Sequence, residues 1–289
     1  MQKAAHYIGR YAPSPTGDLH LGNAQTALLA WLHARLHQGV FLLRMEDLDT
    51  PRTVAGSDQT ILDDLAWLGP NWDGDVVYQS QRTARYQQAL DFLTQQGLIY
   101  PCYCSRKDIQ SAASAPHGNT GVYPGTCRHL NSEQQAVKAQ HKSPAVRVRV
   151  NAELAETCGD FVIRRADGLF AYQLAVVVDD LAQGITDVVR GADLADSTDR
   201  QRYLASLLAP QSKPIKYHHA PLLMDASGQR MAKRDGSYSL KSARAKGQTP
   251  ESMIGDLLHA LGLMPTKQPI SAREVLVKLT LPQLESVLN

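Results

Sequence analysis

The sequence lacks the long apolar segments and the cysteine density that mark membrane proteins and disulfide-rich proteins. No apolar run reaches about 18 residues, the length that a membrane-spanning helix needs. No charged N-terminus is followed by an apolar stretch and a cleavage site, so a secretory signal is unsupported. The 289 residues include 4 cysteines, too few for a disulfide scaffold. We therefore expect a cytoplasmic globular protein, and no internal repeat is visible.

The composition allows one large or two medium domains with an ample core. Hydrophobic residues make up 43% of the chain, and its formal net charge is +2. Positive charge is concentrated between residues 211 and 246, where 8 lysines and arginines accompany 2 aspartates. A local positive field suits a nucleic acid, although a basic stretch is also an ordinary solvated face.

Alternating strand and helix patterns in the first hundred residues predict a parallel sheet. Residues 7–12 and 40–45 have strand patterns, and the apolar spacing between 23 and 35 is helical. The chain then breaks at residues 100–104, and residues 105–144 show little apolar periodicity, which indicates an insertion. Strand and helix patterns resume afterwards, and residues 237–289 are predicted to be helical. The fold class is therefore α/β, with a nucleotide-sized sheet split by an insertion.

A strand, a turn and a helix near the N-terminus have the form of a phosphate-binding site. The turn and the start of the helix have the sequence Pro13-Ser-Pro-Thr-Gly-Asp-Leu-His20-Leu-Gly22-Asn23. A helix N-terminus offers free backbone N–H groups to a phosphate, and Gly22 lets a nucleotide approach the backbone closely. A lone histidine in such a place is usually an ordinary surface residue, so the eleven-residue context is what supports a functional role for His20.

A second, basic segment has the sequence Arg230-Met231-Ala-Lys233-Arg234. Its three cations can neutralise a triphosphate as pyrophosphate leaves, which is the electrostatic task that phosphate chemistry requires. Taken alone, the segment is typical of a solvated basic turn.

Together the two segments resemble the paired ATP motifs, usually called HIGH and KMSKS, of the class I aminoacyl-tRNA synthetases. The resemblance implies that His20 and Lys233 are catalytic and stabilise charge on the phosphates of ATP, with bound Mg²⁺. It also implies a larger ATP-binding set, namely Pro13, Thr16, Gly17, His20, Gly22, Asn23, Arg230, Met231, Lys233 and Arg234. The sequence departs from the motifs at four of its positions: Asn23, Arg230, Ala232 and Arg234.

The same resemblance implies a Rossmann-type parallel sheet that is split by a zinc-bearing insertion and followed by a short helical C-terminal subdomain. Residues 1–99 would form the first half of the catalytic domain, and residues 100–160 an inserted zinc-binding, acceptor-like subdomain. Residues 161–224 would form the second half. Residues 225–289 would hold the basic ATP loop and the helical subdomain, without an anticodon-binding domain.

Three further segments, at residues 10–17, 43–49 and 187–194, are similar to the glutamyl and glutaminyl branch of that family. Carried over by position, the residues that would bind the amino acid are Arg10, Ser14, Glu46, Tyr172 and Arg190. Two arginines suit a side-chain carboxylate, and a glutamate suits an α-ammonium group, so L-glutamate is the expected substrate. The simpler interpretation is that Glu46, Asp47 and Asp49 only form salt bridges with Arg44 and Arg52.

The cysteines Cys102, Cys104 and Cys127 are clustered and predict a zinc site. From chemistry alone the fourth ligand would be a histidine, with His117 or His129 nearby, because structural zinc prefers sulfur and nitrogen. Truncated relatives of glutamyl-tRNA synthetase have the pattern Cys-x-Cys, a spacer and Tyr-x-x-x-Cys. That resemblance instead implies Tyr123 as the fourth ligand of one structural Zn²⁺. A cluster of reduced, unligated cysteines is the alternative.

About 55 residues follow Arg234, and a chain of this kind resembles the truncated paralogues of glutamyl-tRNA synthetase that modify tRNA. Those paralogues attach glutamate to the modified base queuosine at the wobble position of tRNA(Asp). We therefore expect a monomer that forms glutamyl-adenylate from glutamate and ATP and transfers the glutamate to queuosine. Two alternatives are a minimal glutamyl-tRNA synthetase that charges tRNA(Glu) and a non-catalytic paralogue that binds tRNA.

Overall fold

The computed structural model describes residues 7–105, 107–109, 122–223 and 239–288. Contacts between residues divide the chain into two compact units. Unit 1 comprises residues 1–80, 184–195 and 215–289, and unit 2 comprises residues 81–183 and 196–214. The boundaries of these units differ from those of the four segments predicted from the sequence. The four-segment division stays a prediction.

Unit 1 is built on parallel strands. Strand β1 (Ile8–Tyr11) pairs with β2 (Val40–Met45), and β2 pairs with β3 (Val77–Tyr78). Farther along the chain, β7 (Asp187–Gly191) pairs in parallel with β8 (Lys216–Ala220). The amide of Thr186, just before β7, donates a hydrogen bond of 2.9 Å to the Ile8 carbonyl, which places β7 beside β1. The predicted parallel sheet is therefore confirmed.

Helices cover this sheet, and most residues of the first of them are buried. Helix α1 (Leu21–Leu36) packs against β1, β2 and β7, and 10 of its 16 residues are buried. Each buried leucine contributes about 1.5–3 kcal/mol by leaving water. The other helices of unit 1 are α2 (Ser57–Leu68), α8 (Leu240–Ala245), α9 (Pro250–Ala260), α10 (Ala272–Lys278) and α11 (Leu281–Glu285). The last four confirm the prediction of a helical C-terminal region.

Unit 2 contains an antiparallel sheet in the order β4 (Ile99–Cys102), β5 (Ala145–Val148) and β6 (Val162–Arg164). Its helices are α3 (Thr83–Gln95), α4 (Ser132–Ala139), α5 (Ala152–Thr157), α6 (Tyr172–Ala182) and α7 (Thr198–Leu208). The prediction of a break at residues 100–104 was wrong at its start, because residues 100–102 belong to β4. This strand lies at the edge of the sheet, where Pro101 costs no ladder hydrogen bond.

A buried carboxylate joins two helices of unit 2. Asp179 of α6 accepts a hydrogen bond of 2.5 Å from Nε of Arg82 and one of 2.7 Å from the hydroxyl of Tyr86. The Asp179 side chain is fully buried, whereas that of Arg82 keeps some contact with water. Such a carboxylate is stable only while its partners remain in place.

In the described part of the chain, no helix is long and apolar enough to cross a lipid bilayer.

We expect Asp179→Asn to lower the free energy of unfolding by about 3 kcal/mol, because Arg82 would lose its charged partner in a largely buried position. Urea unfolding followed by far-UV circular dichroism measures the change. Tyr86→Phe is the matched control, since it removes one hydrogen bond to the same carboxylate, and it should cost about 1 kcal/mol. A loss in Asp179→Asn no larger than in Tyr86→Phe would contradict this account of the pair.

Candidate active site

The carboxyl ends of three neighbouring strands of unit 1 bring several predicted residues to one edge of the sheet. Arg10 lies near the end of β1, Glu46 follows β2 directly, and Arg190 lies near the end of β7. Both arginines are buried, with exposed fractions of 4% and 3%. In open parallel sheets, ligands bind at this edge. The structure therefore brings these three predicted residues to the same edge of the sheet.

The turn between β1 and α1 is tied to the same edge by its backbone. The Glu46 amide donates to the Pro13 carbonyl at 2.9 Å, and the Thr16 amide donates to the Ser14 carbonyl at 2.8 Å. Pro13 is buried, whereas Ser14 and Thr16 are exposed. Gly17 has a φ of +127°, a conformation that side chains disfavour. The turn thus leaves the hydroxyl groups of Ser14 and Thr16 in solvent.

His20 stands at the N-terminus of α1, with extended backbone angles, and its side chain makes no capping bond to the described residues. The backbone of His20 forms an isolated bridge with Ser239, and the Leu240 amide donates to the Leu19 carbonyl at 2.9 Å. The predicted ATP residues Arg230, Met231, Lys233 and Arg234 lie outside the described residues. Ser239 and Leu240, which follow this segment, are held at the N-terminus of α1 by these backbone contacts.

Gly22 faces open space at the start of α1. A Cβ atom built on Gly22 would meet no described atom within 4 Å, and its φ lies outside the left-handed region. Neither packing nor backbone strain within the described chain therefore requires glycine at this position. The neighbouring Asn23 is exposed, and its carbonyl accepts a hydrogen bond of 3.2 Å from the Tyr11 hydroxyl. The Tyr11 hydrogen bond thus holds the first turn of α1 in place, and no described atom fills the space beside Gly22.

Glu46 and Arg190 each have close partners at this edge. Nη2 of the fully buried Arg44 lies 3.4 Å from Oε1 of Glu46. The guanidinium of Arg190 lies 4.6 Å from the ring centre of Tyr217, and its Nε donates to Nε2 of His219 at 3.4 Å. The sequence analysis named Arg44 as a salt-bridge partner of Glu46, and it missed Tyr217 and His219. Tyr217 and His219 depend on the register of β8 against β7.

The simpler interpretation, a salt bridge with Arg44 or Arg52, holds for Glu46 and Asp49 but not for Asp47, which is bound by Ser80. Asp49 accepts a hydrogen bond of 2.5 Å from Nε of Arg52. Asp47 accepts bonds from the amide and the hydroxyl of Ser80, at 2.8 and 2.6 Å. Both carboxylates therefore have partners within the chain.

The remaining predicted residue, Tyr172, begins α6 in unit 2, where its exposed fraction is 37%.

The cysteine cluster lies in unit 2, beside the end of β4. Sγ of Cys104 is 3.6 Å from Sγ of Cys127, and the Tyr123 hydroxyl is 3.4 Å from Sγ of Cys102 and 3.7 Å from Sγ of Cys104. Tetrahedral zinc with Zn–S bonds of 2.3 Å separates its sulfur ligands by roughly 3.8 Å. The three thiols and the phenol oxygen therefore have the spacing of a four-ligand metal site. A disulfide would need the sulfurs at about 2 Å.

The surroundings of this cluster favour one thiolate. Burial opposes ionisation of Cys102, but hydrogen bonds from Tyr123, the Cys104 backbone and Arg147 outweigh it and lower the pKa of that thiol. Burial and the neighbouring Cys102 raise the pKa of Cys104 to about 11.

Among the described residues the ligand group comprises only the three cysteines, and His129 is exposed outside it. His117 lies outside the described residues.

Comparison with known protein families gives one match that covers nearly the whole chain. Residues 8–285 match the family model described as tRNA synthetases class I (E and Q), catalytic domain. In fold, the chain is similar to a glutamate tRNA ligase from Elizabethkingia meningosepticum, solved in complex with its amino acid, with a TM-score of 0.78 and 23% identity. The similarity covers 96% of this chain but 65% of that one, so this chain spans about two thirds of its length.

Curated relatives match at higher identity and over most of their length. A protein from Nocardia farcinica named glutamyl-Q tRNA(Asp) synthetase is 50% identical over 271 residues, which are 89% of this chain and 85% of the relative. A protein of the same name from Prochlorococcus marinus is 46% identical over 287 residues, which are 98% and 92% of the two chains.

Proposed function

This chain belongs to the class I tRNA synthetase family of the glutamate and glutamine type, and on that premise we propose that it activates L-glutamate with ATP and transfers it to queuosine in tRNA(Asp). Membership makes it a ligase that uses ATP and Mg²⁺. The observation that supports the proposed substrate best is the pair of buried arginines, Arg10 and Arg190, beside Glu46 at the sheet edge.

Glutamate suits this edge by charge. Its side-chain carboxylate would accept charge-assisted hydrogen bonds from Arg10 and Arg190, and its α-ammonium group would pair with Glu46. Ser14 would contribute a hydroxyl group, whereas the role of Tyr172, which belongs to unit 2, rests on the sequence resemblance alone. Glutamine offers a neutral amide instead of the carboxylate, and the loss of a desolvated charge pair costs about 2–5 kcal/mol. That difference corresponds to a preference for glutamate of roughly thirty- to several thousandfold.

ATP would bind with its phosphates at the N-terminus of α1, in the open space before Gly22. The helix N–H groups, His20 and Asn23 would contact the phosphates there, and Lys233 with its neighbouring arginines would supply positive charge to them. The α-carboxylate of glutamate attacks the α-phosphate, the bond to the β-phosphate breaks, and pyrophosphate leaves. Mg²⁺ bound to ATP supplies further positive charge. Position and electrostatics suffice for this step, because phosphoryl chemistry needs no protein nucleophile.

In the second step a hydroxyl group of the nucleic acid attacks the activated carbonyl of glutamyl-adenylate, and AMP leaves. The names of the relatives support queuosine of tRNA(Asp) as the acceptor. Charging of tRNA(Glu) is the second candidate, because it would use the same residues for activation. The basic residues between 211 and 246 suit either tRNA. These substrates indicate a cytoplasmic enzyme.

A monomer is the proposed assembly. The large hydrophobic side chains that are exposed in the described chain are five residues on separate elements or loops, namely Val54, Phe92, Val137, Tyr172 and Val277. Scattered exposed apolar residues of this kind are normal for monomeric proteins, which rarely expose large contiguous apolar patches.

One structural Zn²⁺, held by Cys102, Cys104, Cys127 and Tyr123, is proposed for unit 2. The spacing of the four donor atoms supports it. Such an ion would fix the end of β4 to the turn that carries Cys127, and it would replace the weak hydrogen bonds among the thiols. Three sulfur ligands and one oxygen also leave no open position for a substrate.

The acceptor is tested by measuring transfer of radiolabelled glutamate, with ATP, to three purified substrates. These are tRNA(Asp) with queuosine, tRNA(Asp) without it, and tRNA(Glu). We expect label only in the queuosine-bearing tRNA(Asp). Label in tRNA(Glu) alone would support the minimal synthetase instead, and no label in any tRNA would favour a binding protein.

We expect Gly22→Ala to separate stability from activity. Alanine is the better helix residue and meets no described atom here, so the melting temperature should stay unchanged or rise slightly. The added methyl group would enter the space proposed for the phosphates, and the KM for ATP should rise by about ten- to hundredfold. Pyrophosphate exchange and thermal melting give the two readouts. A fully stable variant with an unchanged KM would contradict the proposed position of ATP.

Metal analysis of the gently purified protein should return at least one zinc per chain, the one held by the cysteine cluster. Cys127→Ala should lose that zinc and melt at a lower temperature, because the metal holds the turn to β4. Cys158→Ala is the matched control, since among the described residues the Cys158 thiol lies outside the ligand group, and its bond to the Leu154 carbonyl is weak, at 3.5 Å. Equal zinc contents in the two variants would rule out the proposed site.

A further inference from the structure

Histidines gather at the end of α1 that lies away from the candidate active site. His33 lies in the last turn of α1, His37 directly follows the helix, and Glu285 ends α11, which packs against α1. Because an α-helix rises 1.5 Å per residue, His37 is about 25 Å from His20 along the helix. All three side chains belong to unit 1. The cluster formed by His33, His37 and Glu285 is therefore separate from the residues assigned to ATP and glutamate.

The three side chains are close enough to share one ion. One ligand atom from each lies within 4.8 Å of the others, and Nε2 of His33 is 3.7 Å from Oε1 of Glu285. His33 and His37 are four residues apart on the helix, a spacing that puts both imidazoles on one face. Two histidines at this spacing with a nearby carboxylate form a set that binds zinc in other proteins.

An unsatisfied nitrogen marks the inner side of this cluster. The His33 side chain is 1% exposed, and its Nδ1 lies 2.7 Å from the Tyr7 hydroxyl. Its Nε2 has no hydrogen-bond partner among the described residues. The 3.7 Å to Glu285 permits charge attraction but is too long for a hydrogen bond. A buried ring nitrogen without a partner is costly, and a bound ion would satisfy it.

The neighbouring contacts leave each of the two histidines one ring nitrogen with a lone pair. Nδ1 of His37 lies 2.8 Å from the His33 carbonyl, to which it donates, so its Nε2 keeps a lone pair. The Tyr7 hydroxyl oxygen can accept a hydrogen bond from Nδ1–H of His33, and in that tautomer the lone pair lies on Nε2 of the ring. The adjacent His218 is engaged elsewhere, because its Nε2 lies 3.3 Å from Oδ1 of Asp187.

We propose that His33, His37 and Glu285 form a second metal site, for a divalent transition-metal ion of the zinc type. The two imidazole nitrogens favour Zn²⁺ over Mg²⁺, which prefers oxygen ligands. His37 and Glu285 are exposed, which gives the ion a path from solvent to the buried His33. Water would complete the four ligands. The ion would join the C-terminal end of α1 to α11, and so its role is structural.

The test is a calorimetric titration of Zn²⁺ into protein whose cysteine cluster already holds zinc. We expect one further equivalent to bind. His37→Ala and Glu285→Gln should each weaken this second binding event at least about tenfold, because each removes one of three protein ligands. His141→Ala and Glu133→Gln are matched controls on exposed residues outside the cluster, and they should bind as the parent does.

Absence of a second equivalent, or equal binding by the parent and both cluster variants, would overturn the proposal. Co²⁺ gives an independent readout that does not depend on catalysis. Cobalt in the cysteine cluster produces a thiolate charge-transfer band, whereas cobalt bound by imidazole and carboxylate gives only weaker d–d bands. The second equivalent of Co²⁺ should add bands of the second kind, and these should be missing in Glu285→Gln. A further rise of the thiolate band alone would also overturn the proposal.

Discussion

Helix α1 packs against strands β1, β2 and β7, and this contact fixes the position of both ends of the helix. Its N-terminus presents backbone N–H groups, His20 and Gly22 at the edge where the strands end. Its C-terminus presents His33 and His37 near the start of β1. The burial of 10 residues along α1 leaves little freedom to rotate or shift the helix. Both proposed sites of unit 1 therefore depend on one packing interface, although they lie at opposite ends of it.

The second constraint is the burial of three arginines at the edge of the sheet where β1, β2 and β7 end. Arg10, Arg44 and Arg190 are all nearly inaccessible to water, and burying a guanidinium group costs free energy unless anions or hydrogen bonds surround it. Glu46 lies beside Arg44, while His219 and Tyr217 lie beside Arg190. An edge with this many buried cations is suited to an anionic ligand. Glutamate and ATP are both anionic, and the proposed reaction brings them together there.

Local patterns were sufficient for the elements that carry the proposed phosphate and amino-acid sites. The apolar spacing after Asn23 predicted α1, and the strand over residues 40–45 was found with its bounds. The strand at residues 99–102 was missed because Pro101 is unusual in a strand, and only its edge position makes it acceptable. The cluster of His33, His37 and Glu285 could not be predicted, since Glu285 lies about 250 residues away along the chain and reaches the histidines only through the packing of α11 on α1.

The central claim is that the edge of the parallel sheet activates glutamate rather than a neutral amino acid. ATP–pyrophosphate exchange with glutamate and with glutamine as alternative substrates tests it most directly, measured both with and without tRNA(Asp). The account predicts exchange with glutamate and, at equal concentration, at least about thirtyfold slower exchange with glutamine, the lower limit set by loss of a buried charge pair. Equal exchange with the two amino acids, or no glutamate-dependent exchange under either condition, would contradict it.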